Sequence, residues 1–447
     1  MTWMTSIKQS AWIGIITIVS YGCGAISPNK DETVDSTIFK LPEPLTISKD
    51  SLDRYGKAVS DFLDTNLLNK DFNGACLVAV GGNIVYERYV GYRDLRKKDS
   101  ITDTTSFHLA STSKPLTGTA VLQLVQQNKL SLNDTLGKFF PGFPYPNISV
   151  FMLLTHRSGL PDYVHFMGDS KKWDIKTMVT NDLMLQFLYD QQPKPNFSPN
   201  RGFSYCNTNF VLLSMIVEKV SGMSFPEYMK QHVFGPLQML HTYVYTLADS
   251  NHATPSFKIN REFWPDDHLE GTYGDKNIYS TPKDMLKFDQ ALYSGQLIRP
   301  TLMDSAFTPY SHEKPSIHNY GLGWRLLMLP NGKKVVYHFG RWHGFTPAFA
   351  RLTDEKATII ILGNKFNRHI YSAGHQLYDI FGDYQQRRSP AKEEQADEPK
   401  IAPASKQKTV RKEKPAPKKT ATVKTEKKAT AKSRTTPPAT KKTVKKK

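Results

Sequence analysis

Residues 110–118 read ASTSKPLTG, and their reading decides the fold, because they set Ser111 three positions before Lys114 at the start of an apolar helical run. Residues at i and i+3 share one helix face. A serine hydroxyl is a weak nucleophile until a base takes its proton, and a lysine can act as that base only when burial or nearby positive charge lowers it well below about 10.4. The Ser-x-x-Lys spacing occurs six times, starting also at Ser27, Ser280, Ser311, Ser389 and Ser405, so spacing alone does not separate chemistry from a polar helix start. Context does. Ser27, Ser389 and Ser405 fall in polar end segments where no pocket can surround them, and Ser311 sits in PYSHEKPS with no apolar helix behind it. Ser280 opens STPKDMLKFDQAL, where Pro282 and Asp284 suit the first turn and capping accounts for the whole pattern. Ser111 follows the strand-like SFHLA and opens LTGTAVLQLVQQNKL, a junction of sheet and helix where pockets tend to form. Pro115 is tolerated there because the first helical turn has no internal N–H bond to lose.

Outward from this point, LDRYGKAVSDFLDTNLL spaces its apolar residues as a helix, and ACLVAVGGNIVYERYVGYRD reads as two strands joined at Gly81 and Gly82. Residues from about 115 to 290 read mainly helical. NFVLLSMIVEKVSG ends at Gly222, and SFPE, Ser224 to Glu227, carries capping-box spacing. Strand character returns at YGLGWRLLML, KKVVYHFG, FTPAFARL and ATIIILGN, before a closing helix in YSAGHQLYDIFG. Strands at both ends with helices between predict an α/β (α+β) domain: one sheet formed by both ends, flanked by helices, with a mainly helical subdomain inserted.

Of the formal charge of +18, residues 387–447 carry +15, from 21 Lys and Arg against 6 Asp and Glu. The remainder is nearly neutral, which argues against a nucleic-acid-binding fold. Residues 1–23 read as an export signal, with the apolar run AWIGIITIVSYG before Cys23; SYGC is similar to a bacterial lipobox, in which Cys23 would be lipidated and tie the chain to a membrane. Residues 24–48 are expected to be a linker, 49–384 the folded domain, and 385–447 a Lys-rich tail too polar to bury a core. Dense lysine without aromatics suits anionic polymers of the cell envelope. Periplasm or cell envelope is the expected location. Cys76 and Cys206 stand in apolar or tightly packed contexts and read as buried free thiols; no metal-ligand spacing occurs, and neither metal nor organic cofactor is expected.

Two further motifs complete the pattern: Tyr205-Cys206-Asn207 in FSYCNTNF, and His338-Phe339-Gly340 in YHFGRWHGF. Ser-x-x-Lys, Tyr-x-Asn and His-x-Gly, in this order, resemble the serine penicillin-recognising hydrolases, in the branch of class C beta-lactamases, D-Ala-D-Ala carboxypeptidases, D-aminopeptidases and related esterases. LLTHRSGLPDY, YSTPKDMLKFDQAL and YGLGW extend the resemblance over residues 50–380. It implies an antiparallel sheet of the beta-lactamase/transpeptidase type. It further implies Ser111 as nucleophile, Lys114 as its proton partner, Tyr205 as general acid or base, and Asn207 as a donor to the substrate. His338 and Gly340 would line the cleft, with the amides of Ser111 and Arg341 as oxyanion hole. Tyr205 is expected to be drawn toward phenolate by neighbouring cations. His156 and His343 are left as structural or pocket-lining.

His338 stands where dedicated beta-lactamases carry lysine, and a mostly neutral histidine anchors a carboxylate less firmly. The Glu-x-x-Leu-Asn loop of class A enzymes is not found. Both features favour a peptidase, amidase or esterase acting on a small peptide, amide or ester substrate. The alternative is a non-catalytic surface lipoprotein of the same fold, working through its basic tail.

Overall fold

The computed structural model describes residues 38–386; the expected export signal, Cys23 and the basic tail from 387 onward lie outside the described residues. Seven strands form the main sheet: β1 (Gly74–Val80), β2 (Asn83–Val90), β3 (His318–Tyr320), β4 (Arg325–Met328), β5 (Lys334–Phe339), β6 (Ala348–Leu352) and β7 (Ala357–Gly363). Their order is β3-β4-β5-β6-β7-β1-β2, every neighbour antiparallel. The expected union of both ends is the β1–β7 pairing, in register from Gly74 against Gly363 to Val80 against Ala357. Gly81 and Gly82, at φ 53 and 84, make the tight turn from β1 to β2, a conformation glycine adopts without a Cβ penalty.

All of β1 is buried, since both faces of the sheet are covered. Ala75, Leu77 and Ala79 join a core with α2 (Ser113–Gln126), α3 (Asn207–Ser221) and α4 (Pro282–Ser294). Cys76, Val78 and Val80 join another with α1 (Lys49–Leu63) and α5 (His369–Gln376). The period-2 alternation of a strand thus serves two layers, and each Leu, Ile or Phe so buried contributes roughly 1.5–3 kcal/mol. Helix α2 is buried from Ser113 through Leu124, its polar members Lys114, Thr117, Thr119 and Gln123 included. Among the described residues no helix is long and apolar enough to cross a membrane.

The capping signals fall as expected at Gly222, in the left-handed region at φ 75, and at Ser224 and Glu227, which form a capping box. Ser280 differs. It ends the short strand Ile278–Ser280, where its buried hydroxyl meets Thr242 Oγ1 at 2.7 Å; the cap of α4 is Thr281. Lys283 points outward to Asp103 and Glu87. Residues 38–48, read from sequence as linker, lie along the domain: Phe39 N donates to Pro236 O (2.9 Å) and Leu45 N to Gly81 O (2.7 Å). Cys76 and Cys206 are free and buried.

Candidate active site

Ser111 sits in a 3-10 turn, Ala110–Thr112, that runs straight into α2. Ala110 holds φ 46, a costly conformation for a residue with a Cβ, kept here by the surrounding bonds. The Ala110 N–H donates to His108 Nδ1 (2.8 Å), and Thr112 Oγ1 donates to the His338 carbonyl (3.0 Å), which binds the turn to the end of β5. Ser111 remains partly exposed while its helical neighbours are buried.

Lys114 is completely buried. Its Nζ donates to Ser111 Oγ at 3.2 Å, Asn207 Oδ1 at 2.8 Å and the Asp275 carbonyl at 2.9 Å. Burial is the main force on this ammonium and pushes it down to about 8; Asp275 and Asp162 oppose the shift, and Arg325 adds to it. A lysine so placed can exchange a proton with the serine near neutral pH.

Tyr205 closes the other side. Lys114 Nζ and Arg325 Cζ each lie 4.9 Å from the centre of its ring, and the His156 ring packs against it at 4.3 Å. The expectation of a phenolate fails. Burial pushes the phenol well above its ordinary range, and the pull of Arg325 and Ser111 does not offset it. The two cations face the π-cloud, where they stabilise the neutral ring instead of a charge at the oxygen. Tyr205 is a neutral phenol, suited to giving a proton. The Ser111 hydroxyl faces it without closing a well-aligned hydrogen bond.

Asn207, first residue of α3, receives Lys114 on its carbonyl oxygen, while its Nδ2 donates to Asp162 Oδ2 (2.9 Å). One of its two amide hydrogens is thus committed within the protein. His338 is fully buried, with Nδ1 donating to Phe339 O (2.9 Å) and Nε2 accepting from Tyr320 OH (3.1 Å). Burial, Arg325 and Lys114 keep it neutral. Its ring centre lies 6.3 Å from that of Tyr205. Gly340 follows β5 so closely against the nucleophile turn that a Cβ there would meet Ser111 N at 2.7 Å and Thr112 N at 3.0 Å. Arg341 comes next; its guanidinium lies over Phe366 at 4.8 Å.

Sequence reasoning passed over Asp162, Asp275, Tyr320 and Arg325. Arg325, on β4, brings the permanent positive charge that His338 lacks. Asp275 acts through its backbone carbonyl, which leaves no mark in side-chain patterns. Asp267, Glu270 and His343 bring three possible ligand atoms within 4.8 Å of one another, a grouping hidden by their separation in the chain. His343 Nε2 is already bonded to Glu270 (2.7 Å).

A beta-lactamase family profile matches residues 64–378. Penicillin-binding protein 4* of Bacillus subtilis (strain 168) is 34% identical over 310 residues, which is 66% of this chain and 68% of that protein. Among solved structures, a penicillin-binding protein from Bacillus halodurans aligns with TM-score 0.64 and 24% identity over 72% of this chain and 99% of that one. The D-amino acid amidase of Ochrobactrum anthropi SV3, solved with L-phenylalanine amide, aligns with TM-score 0.61 and 21% identity over 75% and 99%. With Ser-x-x-Lys, Tyr-x-Asn and His-x-Gly gathered around one cleft, the chain belongs to the beta-lactamase and penicillin-binding-protein family and is a serine hydrolase.

Proposed function

We propose that the protein hydrolyses amide or ester bonds through an acyl-Ser111 intermediate, in the manner of a D-Ala-D-Ala carboxypeptidase, and that it prefers substrates ending in a carboxylate. The observation that carries this reading is Lys114, buried, 3.2 Å from Ser111 Oγ and lowered to about 8. Ser111 Oγ attacks the carbonyl carbon as its proton passes to neutral Lys114. The amides of Ser111 and Arg341 hold the oxyanion. The C–N or C–O bond then breaks, and the leaving group takes a proton from the Tyr205 phenol or from Lys114. Water attacks the acyl-serine ester and restores Ser111. Arg325 supports the preference for a carboxylate, since it is fixed in charge and stands beside the Tyr205 ring.

The test is labelling with a fluorescent penicillin and a fluorophosphonate, alongside Ser111→Ala, followed by hydrolysis of an acyl-D-Ala-D-Ala peptide and its neutral ester. Labelling that depends on Ser111 supports the reading; equal labelling of the variant overturns it. Arg325→Gln should raise KM for the peptide about tenfold or more and leave the ester nearly unchanged, since a hydrogen bond between charged groups contributes roughly 1.5–3 kcal/mol. Labelling by the fluorophosphonate alone would make the protein an esterase. The same reading includes export, lipidation at Cys23, and capture of anionic envelope polymer by residues 387–447. Loss of salt-sensitive polymer binding on removal of that tail would support the last point.

A further inference from the structure

The short segment 270–277, EGTYGDKN, touches three parts of the site at once. Asp275 gives its carbonyl to Lys114. Asn277 Oδ1 meets His108 Nε2 at 2.6 Å, and His108 Nδ1 receives the Ala110 amide next to Ser111. Glu270 reaches the third part. Its Oε1 accepts from the Trp342 indole N–H at 2.6 Å and from His343 Nε2 at 2.7 Å. Trp342 and His343 follow Arg341 in the loop 340–345, and His343 holds φ 47, so the loop is kept in a shape that costs of order 1–3 kcal/mol per such residue.

Glu270 is only 5% exposed, and a carboxylate that deep persists only when paired. Its charge is met by His343 and by Lys276, whose Nζ also lies 4.8 Å from the Trp342 ring. The same Asn277 that reaches His108 donates its Nδ2 to the Glu270 carbonyl (2.7 Å), so the carboxylate and the nucleophile turn share one rigid support. At the far end of the loop, Phe345 stacks on His108 at 5.2 Å, and a Cβ at Gly344 would strike the Phe257 carbonyl oxygen at 2.2 Å. The loop therefore has no room to settle elsewhere while this anchor holds.

We propose that Glu270 is a positioning residue: an anionic latch that grips Trp342 and His343 and so keeps the Arg341 amide aimed at the oxyanion beside Ser111. The proposal rests on the reading of Ser111 as nucleophile. A displaced oxyanion donor slows bond formation with little effect on encounter, so the latch acts on the rate at saturation.

The experiment is fluorophosphonate acylation of the full chain, measured as maximal rate and apparent affinity, for wild type, Glu270→Gln, His343→Gln, their combination, Trp342→Phe and Ser111→Ala. Glu270→Gln should lower the maximal rate roughly tenfold with unchanged apparent affinity, a part of the loss seen when an oxyanion donor is removed outright. The double variant should lose no more than the worse single one, since both remove the same contact. A wild-type rate for Glu270→Gln overturns the latch, as does a purely additive double variant. If Glu270→Gln does not fold, Trp342→Phe tests the same point, because it removes one donor and keeps the charge pair; a wild-type rate there is equally fatal. Failure of the hydrolase reading looks different: wild type would not label, or Ser111→Ala would label as fast.

Discussion

Lys114 combines two roles that conflict in most settings, a fully buried side chain and a titrating one. Its proton leaves near 8 in the folded protein and near 10.5 in the unfolded chain. Between those values the unfolded state holds more protons, so this group's contribution to stability grows as pH rises through that window. The same proton loss produces the base that Ser111 needs. Acylation of Ser111 should therefore rise with pH around a midpoint near 8, as labelling rates from pH 6 to 9.5 would report. Lys114→Arg should be about a hundredfold slower or worse and flat over that range, because a guanidinium keeps its proton. At this scale the linear motifs were legible: Ser111, Lys114, Tyr205 and Asn207 lie together as the family resemblance implied. The protonation of Tyr205 was not. Whether a cation faces a ring or its hydroxyl depends on orientation, and orientation has no trace in the order of residues.

At the scale of elements, the end of β5 and the start of α2 meet with no space between backbones. Gly340 is the residue that permits this contact. Gly340→Ala should force the two apart, cost about 1–3 kcal/mol as overpacking does, and slow labelling of Ser111 more than its stability loss alone explains. Urea midpoints paired with acylation rates would separate the two effects. The strands and the helix caps were readable because alternation and Ser, Thr, Pro and Gly at fixed offsets encode them locally. Ser280 shows the limit of such reading: strand Ile278–Ser280 continues one residue further than capping logic implied, and hands the cap to Thr281. The segment 270–277 was invisible for another reason. It works through bonds to residues far along the chain, from Lys114 to His343.

In the whole molecule, the sheet is closed by residues from both ends of the domain, and α4 is fastened to it by a buried charge. Asp289 of α4 pairs with Arg351 on β6 and accepts from Thr358 on β7 at 2.6 Å. Asp289→Ala would strand the guanidinium in the core and should cost about 3–5 kcal/mol, read as a lower urea midpoint with the slope unchanged. The meeting of first and last strands was foreseeable from strand-rich ends, whereas this pairing was not, since neither residue stands in a motif. The two buried thiols carry a last consequence. Cys76 lies in β1, inside the edge strand β2, between Arg88 and Ile361, while Cys206 stands between Tyr205 and Asn207 with its Sγ directed at Leu160 O (3.4 Å). Reagents that modify sulfur can reach them only when the structure opens, and the two openings differ in depth. Cys206 is thus a clock for breathing of the catalytic wall and Cys76 one for rupture of the sheet, both built into the chain without any added label.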